Sequence, residues 1–130
     1  MANILIADDD PIVRATAVEF LSAAGHTVIE ACDGVEAMAL IANARIDLFI
    51  VDMLMPNKDG LEAILELRAA GSKVPILAIS SGGKMDIDSL LRPAAAFGAT
   101  SVLPKPLRET SLLAVVERLL RLCQLKCTAR

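Results

Sequence analysis

Three consecutive acids, Asp8-Asp9-Asp10, follow the short apolar run Ile4-Leu5-Ile6-Ala7. A second run, Leu48-Phe49-Ile50-Val51, ends on Asp52. A third, Pro75-Ile76-Leu77-Ala78-Ile79, ends on Ser80, and a run near Thr100 to Leu103 leads into Lys105 between two prolines. Gathered carboxylates repel one another, and their ionised forms are costly unless a cation compensates. A hard divalent ion does this, and Mg2+ favours a few carboxylates together with water and phosphate oxygens. A carboxylate is also a nucleophile toward phosphorus, giving an acyl phosphate. Metal and ammonium would neutralise charge on the phosphoryl oxygens, and a hydroxyl would hydrogen-bond a third oxygen. The set is coherent for phosphoryl transfer to a carboxylate. Each residue alone has a plainer reading: the acid run as a solvated turn with a helix cap, Asp52 as a loop cap, Ser80 as a turn residue, Lys105 as a surface cation. Their joint placement on four ordered strand ends favours the chemical reading.

The elements that must hold them alternate along the chain. Strands are expected at Ile4–Ala7, Thr27–Ala31, Asp47–Asp52, Pro75–Ile79 and Thr100–Leu103, from short apolar runs with β-branched residues. A first helix opens at Pro11 with Asp10 as N-cap, turns Ile12, Val13, Ala17, Phe20 and Leu21 inward, and stops at Gly25. Asp33-Gly34 reads as a turn before a second helix, Val35 to Ala42, with Val35, Ala39 and Leu40 on one face. After a loop from Pro56 to Gly60, a third helix runs from about Leu61 to Ala70, with Leu61, Ile64, Leu65 and Arg68 at helical spacing. Asp86 to Ala96 is a less regular helical pattern, since Pro93 lies inside it. Leu107 to Leu122 is the longest helix, with Leu112, Val115, Val116, Leu119 and Leu120 apolar. Strands alternating with helices imply an α/β fold: a five-stranded parallel sheet with helices on both faces, joined by right-handed crossovers. Ligands then bind beyond the carboxyl ends of the strands, where the acids, hydroxyl and ammonium stand. With no repeat or linker, the expectation is a single domain over residues 1–130, with its core at about 3–122 and a frayed tail at 123–130.

Bulk properties narrow the partners. The chain has 130 residues, 55% of them hydrophobic and 22% charged, which argues against disorder. A net charge of −3 with scattered Lys and Arg argues against a nucleic-acid surface, and with no Trp or Tyr there is little to stack on bases. No segment is apolar for long enough to span a bilayer, and the N-terminus has no signal-peptide pattern, so the expected location is cytoplasmic. Cys32, Cys123 and Cys127 form no CxxC pair, which leaves plain thiols as the expectation. His26, after Gly25, reads as a solvent-facing loop residue.

Four motifs in this order resemble the receiver domains of two-component response regulators. They are Ile4-Leu5-Ile6-Ala7-Asp8-Asp9-Asp10-Pro11; Asp47 through Asp52-Met53-Leu54-Met55-Pro56 with Asp59-Gly60; Pro75 through Ser80; and Leu103-Pro104-Lys105-Pro106. The resemblance covers about Asn3 to Leu122 and implies the flavodoxin-like strand order 2-1-3-4-5. It implies Asp52 as phosphoacceptor and a Mg2+ (or Mn2+) site formed by Asp8, Asp9, Asp52 and the backbone carbonyl of Leu54. Ser80 and Lys105 would contact the phosphoryl group, and the Lys105–Pro106 bond is often cis in such domains. The phosphodonor would be a histidine kinase or a His-containing phosphotransfer protein. A downstream protein would meet the face of the fourth helix, fifth strand and last helix, where Leu90, Leu91, Leu119 and Leu122 are candidate contacts, and the chain would be a monomer or weak dimer.

Two departures from the family pattern stand out. The position three residues before the lysine is usually aromatic and moves with the hydroxyl residue on activation; here it is Val102. The stretch Ser81 to Phe97 is longer than usual and begins with glycines, so it is expected to rearrange when Ser80 engages phosphate. Two alternatives stay open: a degenerate receiver serving as an unphosphorylated scaffold, and the receiver part of a longer regulator. A Mg2+-dependent phosphatase would need a second Asp two residues after the nucleophile, where this chain has Leu54.

Overall fold

A computed structural model describes residues 2–53, 55, 58–81 and 98–128. The helix expected at Asp86–Ala96, the expected rearrangement of Ser81–Phe97, the apolar contacts at Leu90 and Leu91, and the Leu54 carbonyl fall wholly or largely outside these residues.

Five strands carry the architecture: β1 (Asn3–Ala7), β2 (Thr27–Ala31), β3 (Leu48–Asp52), β4 (Ile76–Ser81) and β5 (Ser101–Lys105). All pair in parallel, in the order β2-β1-β3-β4-β5, as expected. Between them lie α1 (Pro11–Ala23), α2 (Gly34–Asn43) and α3 (Gly60–Ala69), and a C-terminal helix spans Glu109–Thr128. That helix passes the expected end at Leu122 and takes up most of the expected frayed tail. No Gly or Pro interrupts the chain between Leu107 and Thr128, so nothing stops it earlier.

Strand alternation sends successive side chains to opposite faces. Ile4, Ile6, Leu48, Ile50, Leu77 and Ile79 meet α1 and the C-terminal helix through Ala17, Leu21, Leu112, Val116 and Leu119. Leu5, Ala7, Phe49, Val51, Ile76 and Ala78 meet α2 and α3 through Ala37, Ala63, Ile64 and Leu67. With a layer on each side, β3 is buried along its whole length, which is why its sequence reads as a continuous apolar run.

Ile12, expected to face the core, does not, and Val35 and Leu65, expected on one apolar face and at helical spacing, are exposed as well. Ile12 is 74% exposed, Val35 55% and Leu65 45%. Each lies on the solvent side of its helix: Ile12 shares a face with Glu19, Val35 with Ala39 and Ala42, and Leu65 with Glu62 and Ala69, all exposed. Ala17 is inward as expected; on α2 and α3 the small residues Gly34, Ala37 and Ala63 take inner positions and let the helices approach the sheet closely. Leu119, proposed as a surface contact, is buried in the core. His26 is half-buried, and its Nδ1 accepts a hydrogen bond from the Ala2 N–H at 3.2 Å, which ties the α1–β2 connection to the start of β1. Burial lowers its pKa and the charge of Glu117 raises it, with a net lowering. No helix among the described residues is long and apolar enough to cross a membrane.

Candidate phosphoryl and metal site

The three acids after β1 have three different fates. The Asp8 N–H donates to Ala31 O, which extends the β1–β2 ladder by one residue and turns the side chain inward, where it is fully buried. Its Oδ1 accepts the Asp10 N–H at 2.9 Å. Asp10 is the N-cap of α1, its Oδ1 accepting from the Ile12 N–H at 2.9 Å, so the plain capping reading holds for this residue. Asp9 is exposed at the rim between them.

Asp52 closes β3 and is 4% exposed. Ser80 lies inside β4, opposite Pro104, and not in a turn after the strand. Lys105 ends β5, opposite Ser81. Its Nζ stands 3.0 Å from Asp52 Oδ2, in a hydrogen bond, and 2.9 Å from Asp8 Oδ2. The second contact is an ion pair whose angles fall short of a directed hydrogen bond. Burial alone would push the Lys105 pKa down, but its close contacts with Asp8 and Asp52 and their charges outweigh burial and hold the ammonium above the ordinary lysine range. The Lys105–Pro106 peptide bond is cis.

Asp8, Asp9 and Asp52 can each bring one carboxylate oxygen to within 4.8 Å of the others. Three acids against one ammonium leave a formal charge of −2, the charge a divalent cation cancels. Among the described residues, two buried polar atoms at this edge lack a hydrogen-bond partner, Asp8 Oδ2 and Ser80 Oγ. Leaving a buried hydroxyl unsatisfied costs about 1–3 kcal/mol, and such groups call for a missing ion, water or ligand. The donor set is all oxygen and partly anionic, which fits Mg2+ or Mn2+ better than a softer metal.

The fold therefore brings together Asp8, Asp9, Asp52, Ser80 and Lys105. Val102 stands apart, opposite Ala78 on β5 and half-buried in the layer under α2 and α3. Two supports were not expected from the sequence. Arg14 donates from Nη1 to the Asp8 carbonyl and pairs through Nε with Glu30 at 3.3 Å. A cation in the opening turns of a helix works against the helix dipole, and that was the available signal. Gly60 is the second: a Cβ there would lie 2.4 Å from the Asp52 carbonyl oxygen, so α3 can begin directly against the end of β3 only with glycine.

Comparison with known proteins bears on the family and the fold. The profile of the response regulator receiver domain matches residues 4–117. The response regulator MprA of a Mycobacterium species (strain KMS) is 42% identical over 121 residues, which are 92% of this chain and 50% of the relative. The chain thus spans about half the length of the curated relatives it matches. Among solved structures, the chemotaxis protein CheY4 of Vibrio cholerae is 33% identical with a TM-score of 0.83, covering 92% of this chain and 98% of that one. NtrX from Brucella abortus is 28% identical with a TM-score of 0.89, covering 98% of this chain but 29% of that one.

Proposed function

Because this chain belongs to the response regulator receiver domain family, we propose that Asp52 is its phosphoacceptor, with Asp8, Asp9 and Asp52 holding Mg2+ or Mn2+. The observation that carries this reading is the convergence of two buried carboxylates on one ammonium, beside a buried hydroxyl with no hydrogen-bond partner among the described residues. Receiver domains are signalling modules and not classical enzymes, but this site would promote its own phosphorylation. An Asp52 carboxylate oxygen attacks phosphorus, the bond from phosphorus to the donor nitrogen breaks, and the leaving imidazole takes up a proton. A divalent cation held by Asp8, Asp9 and Asp52 would supply charge neutralisation at the phosphoryl oxygens. Lys105, already between Asp8 and Asp52, transfers its contact from the Asp52 carboxylate to a phosphoryl oxygen. Ser80 Oγ donates a hydrogen bond to another, which gives the unpartnered hydroxyl its acceptor. The backbone carbonyl of Leu54 is proposed as a further cation ligand.

The phosphodonor is proposed to be a histidine kinase or a His-containing phosphotransfer protein in the cytoplasm, and the output a protein–protein contact. Val102 in place of an aromatic means that this output does not depend on a ring swinging at that position. The test is intact-mass spectrometry after incubation with Mg2+ and acetyl phosphate or phosphoramidate. One added phosphoryl group is expected in the wild type, none without metal and none in Asp52→Asn. An unmodified wild type, under conditions where a control receiver reacts, would overturn the reading in favour of a scaffold role.

A further inference from the structure

Asp33-Gly34 has the sequence of a turn, yet Gly34 is the first residue of α2, with Asp33 as its N-cap. Its conformational freedom is not what the position requires, since positive φ values occur among the described glycines only at Gly25, Gly71 and Gly98. Its missing side chain is. A Cβ on Gly34 would stand 2.3 Å from the carbonyl oxygen of Lys58 and 2.8 Å from the Lys58 Cβ and Cγ. The nearest of these atoms is backbone, which cannot swing aside as a side-chain tip can.

Lys58 belongs to the connection between β3 and α3, the segment that leaves Asp52. Its ammonium pairs with Glu66 on α3. At the two ends of the connection the Gly60 N–H donates to Met53 O at 3.3 Å, and a Cβ on Gly60 would lie 2.8 Å from Met53 Cα. Two glycines on two different helices therefore stand against described residues at either side of this connection, Gly34 against Lys58 and Gly60 against Asp52 and Met53.

We infer that Gly34 is a positioning residue for the phosphoryl-transfer site: its lack of a side chain lets the β3–α3 connection seat where Asp52 and the cation require it. The inference rests on the function proposed above. In Gly34→Ala the Lys58 backbone must yield by about 0.7 Å to restore even a 3.0 Å separation. Lys58 is joined through Asp59 to Gly60, which already stands against the Asp52 carbonyl with no room for a Cβ, so the displacement is passed to the end of β3. Misplacement of about 1 Å from outside a site can cost about a hundredfold in rate.

The test measures Mg2+ affinity by calorimetric titration with MgCl2 alone, together with the phosphorylation rate from acetyl phosphate. Gly71→Ala is the matched control. Gly71 lies at the opposite edge of the sheet with φ +85 and no atom within 4 Å, so alanine there strains the backbone without touching the site. Gly34→Ala is expected to bind Mg2+ about fivefold more weakly than Gly71→Ala and to react about tenfold more slowly, at temperatures well below either unfolding transition. Lys58→Ala inserts nothing, leaves the carbonyl and Cβ that face Gly34 in place, and frees the connection from its pair with Glu66. It should weaken Mg2+ about threefold, although removing a cation near acids would by charge alone strengthen it. Gly34→Ala matching Gly71→Ala in both readouts overturns the positioning role. So does an unfolded Gly34→Ala combined with unchanged or tighter Mg2+ binding in Lys58→Ala. A wild type that binds no Mg2+ overturns the underlying functional reading, and the positioning role with it.

Discussion

Lys105→Met takes the ammonium away from two buried carboxylates. Asp8 is fully buried and Asp52 nearly so, and each has an oxygen within 3.0 Å of Nζ. At an effective dielectric constant near 20, each contact carries roughly 5–6 kcal/mol of gross Coulomb attraction. Desolvation of all three groups cancels most of that, as it does for buried ion pairs generally. Removing one partner of a buried pair is more costly than the net worth of the pair, about 3–5 kcal/mol, because the remaining charge stays buried. Taking the lower figure, since Lys105 keeps some exposure, the metal-free variant should lose about 3 kcal/mol. With a urea slope of about 2 kcal/mol per molar, the unfolding midpoint falls by about 1.5 M, followed by far-ultraviolet circular dichroism in EDTA. The same change makes the cluster more negative, so Mg2+ should bind about tenfold more tightly, worth about 1.4 kcal/mol, and saturating Mg2+ should restore a large part of the lost stability. A variant as stable as the wild type in EDTA, or one that gains no more from Mg2+ than the wild type does, would refute the electrostatic account of the site. In the wild type, the raised Lys105 pKa sets the pH window. Its contribution is complete below the ordinary lysine value of about 10.4 and is lost only as pH rises through the higher folded value, so stability should show no Lys105-linked loss between pH 7 and 10.

Ser80→Ala removes a buried hydroxyl that has no partner, so the unphosphorylated protein should be stabilised by about 1 kcal/mol in urea while its phosphorylation rate falls about tenfold. Arg68→Met removes hydrogen bonds from one guanidinium to the carbonyls of Gly98, Ser72 and Val74, and should lower stability by about 2 kcal/mol without changing Mg2+ affinity, as read by paired melts and titrations. The lowered pKa of His26 predicts stability that is complete above about pH 6.5 and declines as pH falls through the folded value. In His26→Gln that slope should be absent from urea midpoints measured between pH 7.5 and 5.

The sheet was legible because each strand buried on both faces must be apolar throughout, and such runs show without any partner being known. Asp8, Asp9, Asp52, Ser80 and Lys105 were legible as candidates because they follow those runs, and a parallel sheet gathers the carboxyl ends of its strands at one edge. Helix faces were read less well. Ala17 and Leu21 face the sheet as expected, but Ile12, Val35 and Leu65 are apolar and exposed while Ala37 and Ala63 face the sheet, because close helix–sheet approach selects small side chains there and the hydrophobic pattern weights large ones.

What the residue types alone determined was the inventory: which groups could carry charge, accept phosphorus or hold a cation, and in what order along the chain. Only the tertiary structure decided their division of labour. Of three consecutive acids, one caps a helix, one stays at the rim and one is buried against an ammonium nearly one hundred positions away, because the β1–β2 ladder fixes which way each side chain turns. The glycines make the same point. Gly34 and Gly60 read as turn and loop residues, but each is buried at the start of a helix, pressed against another segment's backbone. A side chain's absence matters only where something else occupies its space, and a linear sequence does not say what that is.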